Sequence, residues 1–208
     1  MLVVSRTLTM AMGQGEATEL ALEAREVAAK ASGLDLGLYM AGPGYPGNTF
    51  IFSAMVEDMA TYAAAAGKLG ESKDYLKISE KAVKHAIGPS ENGIRSIVHM
   101  TGDAEIAVGD MLSSVTTQVR NGRYADAMAF GVEMTEYYNK GTGLDGAFLR
   151  SVAGDMGEVQ WLARGSAADF DKAMAWEGSD AGYLERYESA GDLFAQGTGL
   201  RGYVIRIG

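Results

Sequence analysis

The chain has 208 residues, 47% hydrophobic and 22% charged, with 18 Lys and Arg against 27 Asp and Glu. Its formal net charge of −9, with no dense basic run, disfavours nucleic-acid and anionic-membrane surfaces, which need concentrated cations. The absence of cysteine excludes disulfides, thiolate metal sites, iron–sulfur clusters and cysteine nucleophiles.

Met1–Arg6 lacks the charged-then-apolar pattern of a signal peptide, and no run approaches the ~18 apolar residues of a membrane span, so the expectation is a cytoplasmic protein. In chain order, β-like runs are predicted over Leu2–Thr9, Asp35–Ala41, Thr49–Met55 and Ile94–Met100. A helix precedes the second run. Its apolar stripe is Ala17, Leu20, Ala21, Ala24, Val27, Ala28 and Ala31, with Glu19, Glu23, Glu26 and Lys30 off it. Two further helical stretches, Val56–Lys68 and Lys73–Ala86, follow the third run.

The same order then recurs. Ser32-Gly33-Leu34-Asp35 reappears as Thr142-Gly143-Leu144-Asp145, a shift of 110, and the stripe maps onto Ala127, Phe130, Gly131, Met134, Tyr137, Tyr138 and Gly141. Strands are predicted at Leu112–Val119, Gly146–Val152, Val159–Arg164 and Leu200–Ile207, with helices at Ala167–Trp176 and Gly182–Ala195. Gly93-Ile94-Arg95 aligns with Gly199-Leu200-Arg201 at a shift of 106. The reading is α+β: a βαββαβ unit written twice, over 1–105 and 106–208. Thr49–Met55 and Gly37–Met40 carry bulky apolar groups on both faces, so the second face of each sheet needs a cover, and the other copy supplies it.

This pattern resembles the dimeric α+β barrel superfamily of duplicated ferredoxin-like units. That group includes antibiotic-biosynthesis-monooxygenase-like, EthD-like, NIPSNAP-like and chlorite-dismutase-like proteins. The resemblance implies two units packed around a central cavity, and self-association through exposed sheet edges. It covers nearly the whole chain but rests on element order, so it carries a fold more readily than an activity.

Gly42-x-Gly44-x-x-Gly47 matches a dinucleotide fingerprint in letters only. It contains two prolines and leads into a strand, whereas phosphate binding needs a following helix. The chain has two histidines. His85 lies near a helix end beside the stripe, a packing position. His99, at period two from Ile97 and Arg95, shares their face in the predicted last strand, with Arg201 and Tyr203 as repeat mates. If that face lines the barrel, His99 and Arg95 are the catalytic candidates, His99 as a base or haem ligand. Otherwise His99 is a surface or hydrogen-bonded strand residue. Arg201, Tyr203, Trp161, Arg150, Arg164 and Tyr39 are the candidate substrate contacts. Arg150 and Arg164 replace Met40 and Ser53 of the first copy, and fit either a ligand carboxylate or phenolate, or salt bridges between the lobes.

Three functions remain open. One is a cofactor-independent oxygenase or isomerase acting on a small hydrophobic or aromatic molecule in the central cavity. The others are a non-catalytic ligand-binding or stress-associated barrel, and a haem protein. The expected associations are a small hydrophobic molecule and further copies of the chain, with no nucleic acid, membrane, cofactor or metal.

Overall fold

The computed structural model describes residues 1–103 and 105–208. The first series of elements is β1 (Leu2–Thr9), α1 (Gln14–Ser32), β2 (Gly37–Ala41), β3 (Thr49–Val56), α2 (Met59–Glu71), α3 (Lys73–Val83) and β4 (Glu91–Met100). The second is β5 (Met111–Gln118), α4 (Tyr124–Thr142), β6 (Asp145–Ala153), β7 (Glu158–Gly165), α5 (Ala167–Glu177), α6 (Ala181–Ser189) and β8 (Leu200–Arg206), with a 3-10 turn at Ala190–Asp192 before β8. All eight predicted strands are present.

The helices begin and end where backbone chemistry allows. Gly33 and Gly143 close α1 and α4 in the left-handed conformation, at φ 78° and 74°, where a side chain would be strained. Asp58, Ser72, Ser166 and Asp180 cap α2, α3, α5 and α6 through their side chains.

The strands form one closed antiparallel barrel in the order β1-β3-β2-β8-β5-β7-β6-β4. Each series contributes four neighbouring strands, and the two sheets meet edge to edge along β2–β8 and β4–β6. Their inner faces therefore look at each other across a lumen, and the helices cover the outer faces. The β2–β3 loop tightens the first seam: Gly42 N–H donates to the Tyr203 carbonyl and Tyr203 N–H to that of Pro43. At Gly44, φ is 95° and a Cβ would collide with the Arg201 carbonyl, so this loop glycine serves close backbone approach. Closure uses both pairs of sheet edges within the chain. The edge-pairing reason for expecting self-association is thereby removed.

Strand pairing corrects the repeat alignment in the last strands. Leu2 faces Ser96 in β4, and Met111, at the same place in the second sheet, faces Ile205 in β8. Arg95 thus matches Val204 rather than Arg201. That slip spans an odd number of residues, and such a slip exchanges the two faces of a strand. Thr49 faces Thr9 while Glu158 faces Gln118, so Trp161 matches Phe52 rather than Phe50. The even offset leaves its face unchanged.

The first series packs its helices tightly on the sheet. Leu20, Ala21, Leu38, Phe50, Ile78 and Met10 form one buried cluster, with Leu8, Phe52 and Tyr75 against it. α3 is seated there by Ile78 and Ala82. In the second series, α6 buries no residue fully. That difference opens the space described next.

Candidate functional site

Two cavities stand out. The barrel lumen holds about 650 Å³, and a second cavity of about 600 Å³ lies between the outer face of the second sheet and α4, α6 and the 3-10 turn.

The lumen is lined by alternate strand residues, among them Val3, Ile51, Ile97 and Leu149, with Ser5, Ser114 and Gln160. Its polar groups are largely paired with one another. Arg95 donates from Nη2 and Nε to Glu158 Oε1 at 2.6 and 3.0 Å, joining the two sheets across the barrel. Gln160 donates to Ser114 Oγ at 2.8 Å. Arg164 bridges Asp145 at 2.8 Å and Asp103 at 3.1 Å.

The outer cavity is of another kind. Val115 and Trp161 form its floor on the sheet. Phe130, Met134 and Tyr138 come from one face of α4, at spacings of four residues, and Tyr183 and Tyr187 from α6. Trp161 stands edge-on to Phe130 and Phe194, with centroids 6.4 and 5.5 Å away, and is tilted over Phe148 at 4.8 Å. The polar groups gather on one wall. Arg201 grips Glu177 with two hydrogen bonds of 2.7 and 2.9 Å, and the Tyr138 hydroxyl donates to the same carboxylate at 2.9 Å. Where the first sheet places Leu8 under its helices, the second places Thr117, a smaller group that leaves volume.

Burial and the neighbouring Glu177 charge both favour the neutral phenol at Tyr138 and Tyr183. Tyr138 is shifted upward, and Tyr183 is pushed up to about 12. Both are hydrogen-bond donors at neutral pH. Because the folded state keeps these protons while unfolded tyrosines release theirs near 10, stability should fall as pH rises past 10 toward 12. In alkaline absorbance titration of wild type and Tyr183→Phe, the variant should lack one late-ionising phenol. An unchanged late phase would contradict this placement.

The sequence candidates divide between the compartments. Arg95, Arg164 and Tyr39 line the lumen, whereas Trp161 and Arg201 line the outer cavity. Tyr203 also faces outward, packing edge-on against buried Phe170 at 5.7 Å. Arg150 reaches the Tyr124 hydroxyl at 3.2 Å, away from both cavities. The expectation that His99 shares a barrel-facing surface with Arg95 fails. A β-bulge between Ile97 and His99 turns the histidine outward, opposite Phe148. Its Nε2 lies 3.5 Å from Glu136 Oε1 on α4, without hydrogen-bond alignment. Arg201 and Tyr203 leave the lumen through the register slip described above. Tyr138, Glu177, Tyr183 and Phe130 were not singled out by sequence as ligand contacts, although Phe130 and Tyr138 belong to the predicted α4 stripe.

No family model matches the chain, and no curated protein matches it either. Solved structures do. An anthrone oxidase-like protein superposes with a TM-score of 0.75 at 10% identity, over 100% of this chain and 91% of the other. A candidate monooxygenase from Fusobacterium nucleatum gives 0.71 at 10% identity, over 100% and 93%. A mutant chlorite dismutase from Candidatus Nitrospira defluvii gives 0.53 at 11% identity, over 98% and 90%. This chain has the dimeric α+β barrel fold. Both units of the barrel lie in one polypeptide, and identities this low transfer the architecture alone. Among the described residues of the barrel, no helix is long and apolar enough to cross a membrane.

The haem reading can be tested on the barrel's own residues. A haem iron needs an axial side-chain ligand. No histidine lines either cavity among the described residues; the tyrosines and methionines there, such as Tyr39, Tyr45 and Met100 in the lumen and Met134 in the outer cavity, are the remaining ligand types. The two histidines on which the haem reading rested, His85 and His99, therefore line neither cavity.

Proposed function

We propose that the barrel binds a flat, largely apolar aromatic molecule bearing a phenol or ketone oxygen in the outer cavity of its second half, and oxygenates it without a cofactor. The observation that carries this reading is the segregation within that cavity: aromatic walls on most sides, and on one the polar groups Tyr138, Tyr183 and Arg201 gathered about Glu177. Ring stacking on Trp161, Phe130 and Tyr183 would hold the plane of the ligand. Tyr183 and Arg201 would face its oxygen and stabilise the anion formed when an acidic ring proton leaves, while the Tyr138 hydroxyl proton stays in its hydrogen bond to Glu177.

An anthrone illustrates the balance. Its methylene loses two hydrogens and gains one oxygen atom from O2, the second oxygen leaves as water, and the product is the quinone. The electron-rich substrate anion itself reduces O2, so the protein supplies position and charge stabilisation.

Glu177 favours a second reading, a binder without turnover, because its two hydrogen bonds to Arg201 already neutralise that cation. One experiment separates the two. Anthrone is titrated while tryptophan fluorescence and oxygen uptake are followed, with no added cofactor. Saturable quenching with stoichiometric oxygen consumption and quinone absorbance is the expected result. Quenching without uptake selects the binder. An absence of both overturns the assignment of this cavity.

A further inference from the structure

We propose that the aromatic ligand of the outer cavity carries a carboxylate, which Arg120 holds at the end opposite Glu177; the inference rests on that cavity being the substrate site. Among the described residues, three charged side chains line the cavity: Arg120, Glu177 and Arg201. Arg201 and Glu177 neutralise each other through two hydrogen bonds. Arg120 is the exception to that grouping. It leaves the lining with one positive charge, in a chain whose formal net charge is −9. A surplus cation on the wall of an otherwise apolar cavity selects for an anionic substituent.

Position separates Arg120 from the polar wall. Its backbone N–H donates to the Leu193 carbonyl and its Nε to the Phe194 carbonyl, both at 2.9 Å, and the Phe194 ring lies 5.9 Å from Phe130. Tyr138, which donates to Glu177, stands two helical turns beyond Phe130 on α4, so the two ends are about 12 Å apart along the helix. A fused-ring ligand with one substituent spans that gap. The Nε bond fixes the guanidinium and leaves its Nη groups without a hydrogen bond among the described residues. Their ion-pair partner there is Asp192, at 3.7 Å and 86% exposed, while the Arg120 side chain is itself 45% exposed and so sits at the cavity mouth. That distance is too long for a hydrogen bond, and a pair so open to water is held weakly. A ligand carboxylate making charge-assisted bonds would displace Asp192. A ketone oxygen would accept from Arg120 as well, but would leave its charge uncompensated.

The test is tryptophan-fluorescence titration of the whole chain with anthraquinone-2-carboxylate and with the neutral anthraquinone-2-carboxamide. The carboxylate should bind about tenfold more tightly, the worth of a charge-assisted hydrogen bond at a half-exposed site, and the margin should shrink as salt rises. Arg120→Gln should bring the two affinities together, whereas a role confined to holding Phe194 would weaken both ligands alike and keep their ratio. Asp192→Asn removes the competing carboxylate and should widen the margin by about two- to threefold, a result that does not depend on Arg120→Gln folding. A carboxamide that binds as tightly as the carboxylate, or a ratio unchanged in Arg120→Gln, would overturn the proposal and leave the aromatic site standing. Failure of both probes to quench would overturn the cavity assignment, and the proposal with it.

Discussion

Replacing Phe148 by Ala should lower the free energy of unfolding by about 3–5 kcal/mol, the usual cost of emptying a fully buried aromatic site. Phe148 is 0% exposed. It lies on β6 next to the β4 seam, opposite His99, and its ring packs 4.8 Å from Trp161. Gly131 on α4 makes room for it: a Cβ there would fall on the Phe148 ring, so helix and sheet interlock at this point. The outer cavity adjoins the same ring through Trp161, so the vacated volume enlarges an existing space, and little can collapse into it. Denaturant unfolding gives the value. A loss below about 1 kcal/mol would mean that the neighbouring rings close the gap, contrary to this packing account.

Val115→Phe should abolish binding of anthrone, by roughly a hundredfold or more, because the added ring occupies the floor of the outer cavity. Val115 lies on β5 with its side chain on the helix side, between the strands carrying Trp161 and Arg201. The new ring would enter existing space, so it should be tolerated better than an equal insertion into the tightly packed first half. Arg6→Phe, which puts the same ring at the matching place on β1, should leave anthrone binding unchanged. Quenching titrations on both variants, with thermal unfolding as the fold control, make the comparison. Retained affinity in Val115→Phe would remove the ligand from this compartment.

Much of the architecture was legible because it is written twice. Each strand needs only an apolar run between turn signals, and the glycines ending α1 and α4 mark the same boundary in both halves. What the sequence could not convey was facing. Period-two reasoning put His99 beside Arg95 because it assumes an uninterrupted ladder, and the bulge after Ile97 has no residue signature of its own. Arg201 was placed in the lumen by matching glycines, Gly93 with Gly199, when backbone pairing matches Gly93 with Gly202. The outer cavity was hidden for a different reason. It arises from what is missing, a helix α6 without a buried anchor and a Thr117 where the first half has Leu8, and a deficit of volume becomes visible only once both helices are in place.

The most direct measurement is a crystal structure of the chain with a bound anthrone. The account predicts the ring system against Trp161 and Phe130, its oxygen turned toward the Tyr183 hydroxyl and Arg201, and no aromatic ligand in the barrel. Ring density inside the lumen near Arg95, with the space beneath α6 empty, would contradict it.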